Sequence, residues 1–99
     1  MQEKAKYKIA DIFSITGRGL VFAGYITDGE IFIGDEIEFT VFNKIRKRKI
    51  TGIEGIRTSQ LNPVNTGLLI KCENDLEIEE FHNWKPENQI ALIYSQSIK

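Results

Sequence analysis

The chain has 99 residues, of which 41% are apolar and 27% charged, with a formal net charge of −1. That size supports one hydrophobic core and excludes a second domain, while the aromatic content and near-zero net charge exclude intrinsic disorder. A single cysteine, Cys72, excludes an internal disulfide, and two prolines and eight glycines exclude collagen-like or proline-rich sequence.

The β signal dominates, with short runs of Val, Ile, Phe, Tyr and Thr cut by glycine at close spacing. Tyr7 to Ile15 reads as a first strand and Leu20 to Thr27 as a second. Gly17 and Gly19 mark a tight turn between them, and Gly24 marks a bulge or barrel corner within the second. Asp28-Gly29 is a hairpin cue that precedes Glu30-Ile31-Phe32-Ile33, and Gly34-Asp35 turns the chain again. The next strand alternates, with Ile37, Phe39 and Val41 on the core side and Glu36, Glu38 and Thr40 on the water side. Arg46 to Arg57 reads as a long strand bent at a glycine, and Thr58 to Asn65, with Asn62-Pro63, as a loop. Thr66 to Cys72 reads as a central strand. Glu73 to Trp84 is acidic, with a short helical turn around Asp75-Leu76-Glu77 that Pro86 ends at the latest. Gln89 to Ser95 is the last strand.

Six or seven short strands without a long helical period predict an all-β fold, a barrel or a sandwich. A small closed antiparallel barrel removes the edges that an open sheet must protect. One domain spans 1–99, with the barrel at about 7–95 and frayed ends at 1–6 and 96–99. The longest apolar run, Ile90 to Tyr94, falls far short of the ~20 residues that span a bilayer. No signal-peptide pattern stands at the N-terminus, and with one cysteine the expected setting is cytoplasmic, with no membrane partner. No Gly-Xaa4-Gly-Lys-[Ser/Thr] loop is present, so no nucleotide binding is expected.

Asp11-Ile12-Phe13-Ser14-Ile15-Thr16-Gly17-Arg18-Gly19-Leu20-Val21-Phe22-Ala23-Gly24 resembles the opening of the second domain of elongation factor Tu. Gly29-Glu30-Ile31-Phe32-Ile33-Gly34-Asp35-Glu36-Ile37 resembles its continuation. Thr51-Gly52-Ile53-Glu54-Gly55-Ile56-Arg57 and Asn65-Thr66-Gly67-Leu68-Leu69-Ile70 resemble two later strands. The blocks keep their order over about residues 7 to 94, which points to the translation-factor β-barrel superfamily. The resemblance implies a barrel of that kind without its GTPase domain, with transfer RNA or the ribosome as partner. It also implies an aminoacyl-end pocket at Asp11, Phe13, Glu54 and Asn65. The sequence departs from the family pattern at Ala10, where elongation factor Tu has an acidic residue, and at Ala23, where it has a threonine. The structural alternative makes Phe13 a core residue and Glu54 a solvated strand residue.

The basic run Lys44, Arg46, Lys47, Arg48 and Lys49 lies outside that pattern. Strand alternation charges both of its faces, so it is expected to project beyond the barrel as a hairpin tip, with Arg18 a candidate neighbour. Such a cluster attracts phosphates, and the alternative is an edge guarded by lysines. The acidic residues Glu73, Asp75, Glu77, Glu79 and Glu80 are expected to form a solvated loop that balances this charge. Trp84 is either a plug for one barrel end or an exposed contact. Cys72 and His82, the single residues of their kinds, supply neither a metal set nor an activated nucleophile, so no enzyme, catalytic residue, metal or cofactor is expected. Two readings result. One is an RNA- or ribonucleoprotein-binding module of the elongation factor Tu domain-2 type. The other is a protein-interaction module using the barrel loops, with Trp84 or Phe42 at an apolar contact.

Overall fold

The computed structural model describes residues 2–15, 19–55 and 66–95. Among them, in chain order, are β1 (Ala5–Ile15), β2 (Gly19–Gly29), β3 (Glu36–Val41), β4 (Lys44–Gly55), β5 (Thr66–Ile70), α1 (Asp75–His82) and β6 (Gln89–Tyr94). The strands close into one antiparallel barrel in the order β1-β2-β5-β4-β3-β6, and β6 pairs back onto β1. The all-β closed barrel expected from the strand pattern is the fold observed. No helix among the described residues is long and apolar enough to cross a membrane.

Alternation sets the inner surface. Ile37, Phe39 and Val41 of β3 are buried, as their spacing predicts. In β1 the buried set runs Ala5, Tyr7, Ile9 and then Ile12, a change of phase. The register explains it: Ile9 pairs with Gly24 and Asp11 with Ala23, leaving Ala10 as an extra residue. A bulge moves every later side chain of its strand to the other face. In β4, Ile50 pairs with Ile70 and Gly52 with Leu69, leaving Thr51 as the extra residue. The inward set there passes from Arg46, Arg48 and Ile50 to Ile53, so the expected bend falls beside Gly52.

Gly24 faces the β1 bulge, where a Cβ would lie 1.8 Å from the Lys8 carbonyl oxygen. Gly19 opens β2 at φ +96°, with nothing within 4 Å of where a Cβ would be. Its constraint is therefore dihedral alone. Gly19→Val is expected to cost about 1–2 kcal/mol in urea unfolding, the penalty of a β-branched residue held at positive φ. An unchanged midpoint would contradict that conformation.

The core is aromatic at its centre. Phe39 meets Phe22 edge-on at 5.0 Å and Phe81 edge-on at 5.4 Å, and Trp84 stacks on Phe39 at 5.8 Å. Trp84 is 8% exposed and packs in the core against Phe22 and Phe39, so it is not a surface contact. The Tyr7 hydroxyl lies 2.6 Å from the Thr66 carbonyl oxygen and 3.1 Å from that of Phe22. Burial pushes its pKa up, keeping it a neutral donor.

Three expectations are corrected. The acidic segment is not a solvated loop: the helical turn expected around Asp75-Leu76-Glu77 is the start of α1, an eight-residue helix. The Asn74 side chain caps it by accepting from the Glu77 N–H at 2.9 Å, and Glu77 and Phe81 are its buried anchors. Asp28-Gly29 makes no hairpin, because β2 and β3 are not neighbours in the barrel. Residues 30–35 instead wrap around the buried Asp35 carboxylate, which accepts from the Phe32 N–H and from Lys4 Nζ, each at 2.8 Å. That bond, with the Lys4 N–H on the Ile93 carbonyl at 2.7 Å, ties down an end expected to fray and lets β1 begin at Ala5.

Candidate functional site

The register of β1, β2, β5 and β4 assembles a surface that the linear sequence disperses. Asp11 lies opposite Ala23, Ala23 opposite Gly67, and Gly67 opposite Glu54. A second row runs beside it through Phe13, Val21, Leu69 and Gly52. Both rows face outward, since Ile12, Phe22 and Leu68 are buried inward and Ile53 packs against that core. Strand spacing places Asp11 and Glu54 about 14 Å apart, with only Ala23 and a glycine between them. Two carboxyl-bearing side chains thus stand at the ends of a row whose middle residues, Ala23 and Gly67, are buried, and the exposed Phe13 ring stands in the neighbouring row beside the buried Val21 and Leu69.

Asp11, Phe13 and Glu54 therefore share one face. Asn65 and Arg18 lie outside the described residues. Phe13 is 47% exposed, which overturns its reading as core. The Ala10 bulge is the reason: without it, Phe13 would continue the inward series of Tyr7 and Ile9. Asp11 Oδ1 accepts the Ile12 N–H at 2.8 Å, which anchors its carboxylate at the bulge. Glu54 is half-buried. Carboxylates here can accept from ribose hydroxyls or a protonated amine, and the ring offers a stacking face.

The basic run does not project as a free tip. It is the first half of β4 and pairs with β3 from Val41↔Lys44 to Glu36↔Lys49. Arg46 and Arg48 turn toward α1. Arg48 Nε donates to Glu77 Oε1 at 2.8 Å, and its terminal nitrogen donates to the other Glu77 oxygen. Arg46 donates to Glu80 at 3.3 Å. Both guanidinium groups lie over the Phe81 ring, at 5.7 and 5.9 Å. The bidentate Arg48 contact holds the Glu77 carboxyl below its usual range. The sequence reading missed this pairing because the partners lie about thirty residues apart in the chain.

Lys44, Lys47 and Lys49 remain exposed, and none makes an ion pair among the described residues. Lys47 Nζ sits 4.2 Å from the centre of the Tyr94 ring. Glu38 and Glu36 lie opposite Lys47 and Lys49 in the β3 ladder, which moderates the positive potential of that wall. The tip itself is Phe42-Asn43, with φ +49° and +68°. A two-residue gap holding an asparagine, between an alternating strand and the basic run, was the available signal for this turn.

A cavity of about 290 Å³ opens between β1 and α1, lined by Ser14, Asp75, Ile78, Glu79 and His82. Burial pushes the Cys72 thiol up to about 11, so it is protonated at neutral pH, the reverse of an activated nucleophile. Among the described residues no group of three or more His, Cys, Asp and Glu is placed to hold a metal ion. No protein-family model matches the chain.

Proposed function

We propose that this barrel is a non-catalytic RNA-binding module of the translation-factor second-domain type, which seats an RNA end on the outer face of β1, β2, β5 and β4. The observation that supports it is the register that lines up Asp11, Ala23, Gly67 and Glu54 with Phe13 beside them. Asp11, Phe13 and Glu54 are three of the four residues for which the family resemblance implies a pocket, and Ala23 is one of the places where the sequence departs from it. In this reading Phe13 stacks on the terminal base or packs against an attached aminoacyl group. Asp11 and Glu54 accept hydrogen bonds from ribose hydroxyls or the amine. Lys44, Lys47 and Lys49 meet phosphates at the far end of β4. Transfer RNA and the ribosome in the cytoplasm are the partners the resemblance implies.

Fluorescent transfer RNA and an unrelated RNA hairpin, titrated at two salt concentrations, test the proposal. With three lysines on phosphates and a slope of about −0.7 per contact, a fourfold rise in salt should weaken binding about twentyfold. The triple reversal Lys44→Glu, Lys47→Glu, Lys49→Glu should abolish it. Phe13→Ala should remove any preference for aminoacylated over deacylated transfer RNA. Absence of binding to either RNA at low salt overturns the reading.

A protein-interaction barrel is the second reading. It is favoured by the β2–β3 connection, which exposes Phe32 at 58% and Ile33 at 65% as an adjacent apolar pair. A partner held there would survive high salt and the lysine reversal.

A further inference from the structure

The β3–β4 turn holds a bulky side chain where such side chains are rarely found. Val41 and Lys44 pair across it, and Phe42 and Asn43 between them both have positive φ. That pattern suits asparagine, aspartate and glycine; for phenylalanine it is strained. The strain is not offset by packing. Phe42 is 58% exposed and makes no ring–ring or cation–ring contact among the described residues. Next to it stand an exposed amide, Asn43, and an exposed ammonium without an ion pair, Lys44. Lys44 continues the face of Arg46 and Arg48, which are held by α1, while Lys47 and Lys49 are exposed on the opposite face of β4.

We propose that this turn binds one unpaired nucleotide of RNA, with Phe42 as the stacking residue. The Phe42 ring takes the base face, the Asn43 amide takes a base edge with its donor and acceptor, and Lys44 takes the adjoining phosphate. The three groups match the face of a base, its edge and one phosphate. The contact selects single-stranded RNA, because a base inside a duplex offers its face only to neighbouring bases. This inference rests on the RNA-binding reading above but uses a different end of β4. Glu54 is ten positions further along that strand, about 30 Å away.

Fluorescence anisotropy with a twelve-nucleotide oligoadenylate and a duplex RNA of equal length tests it. The proteins are the wild-type chain, Phe42→Leu, Phe42→Asn and the triple lysine reversal. The single strand should bind more tightly than the duplex to the wild type. Both Phe42 variants should weaken oligoadenylate binding about tenfold and leave duplex binding unchanged, the span expected for one lost stack. Phe42→Asn should also melt at a higher temperature than wild type, because asparagine relieves the turn. A ring present only for folding would instead lower the melting temperature when removed. If both Phe42 variants bind oligoadenylate like wild type while the lysine reversal abolishes binding, the stacking contact is overturned and the RNA-binding reading stands. If the wild type binds neither RNA, both fail, and the exposed ring is left to a protein partner.

Discussion

Gly24→Ala should destabilise the barrel by about 3 kcal/mol or more, a large share of a small domain's total stability. The added Cβ would stand 1.8 Å from the Lys8 carbonyl oxygen, 3.0 Å from the Lys8 carbonyl carbon and 3.2 Å from the Ala10 nitrogen. All three atoms are backbone, so no side chain can rotate out of the way. β1 would have to lift from β2 at the bulge that sets the phase of both its halves. The damage would reach Phe13 and Asp11 as well, since the bulge turns them outward. Urea unfolding measures the loss. On typical scaling for a domain of this size the melting temperature should fall by roughly 15 °C. Stability near wild type would show that β1 can shift at no cost. Gly19 is the internal contrast, since its dihedral angle is constrained but its surroundings are open.

Glu77→Ala should cost about 3 kcal/mol at neutral pH, because it leaves the Arg48 guanidinium, 14% exposed, with only the exposed Glu73 carboxylate at 3.6 Å in place of its bidentate partner. Replacing both partners by apolar residues, Arg48→Met with Glu77→Leu, should recover most of that loss. Removing one partner strands a charge, whereas removing both removes the need for it. The pair is also pH-sensitive. The Arg48 hydrogen bond holds the Glu77 pKa below its unfolded value. Its contribution is therefore complete above the unfolded value of about 4.3 and is lost as pH falls through the lower folded value. Glu77→Gln should flatten the acid limb of the stability curve. Trp84, the only tryptophan, reports the event: loosening α1 should expose it and shift its emission to the red. An acid limb unchanged in Glu77→Gln would place the acid sensitivity elsewhere.

These two substitutions probe the two devices that make the surface what it is. Bulges decide which side chains of β1 and β4 face out. The α1 carboxylates decide which cations remain free to meet a ligand. The glycines marked where the strands bend, but the local pattern did not show which side chains the bulges turn outward or which cations α1 holds. Phe13 sits in an apolar stretch that reads equally well as core, and only the extra Ala10, known from its pairing with β2, turns it outward. The basic run reads as five available cations, and only the seating of α1 removes Arg46 and Arg48 from that number. The hairpin cue at Asp28-Gly29 failed because the strand after it pairs with β4 and β6 rather than with β2.

By itself the sequence determined the fold class, most of the strand positions, the alternation of β3 and the irregularity at Gly24. Those features are local. They follow from side-chain period and from glycine's missing Cβ, both of which act within a few residues. Only the tertiary structure decided that Asp11, Phe13 and Glu54 share a face, that the acidic segment is a helix pairing two arginines, and that Phe42 stands exposed at a strained turn. The first two depend on register and on contacts between residues far apart in the chain, 29 positions for Arg48 and Glu77, and the third on the dihedral angles that the two-residue turn imposes. A one-residue bulge reverses the face of everything beyond it, and a buried ion pair forms only where closure of the barrel brings its partners within reach.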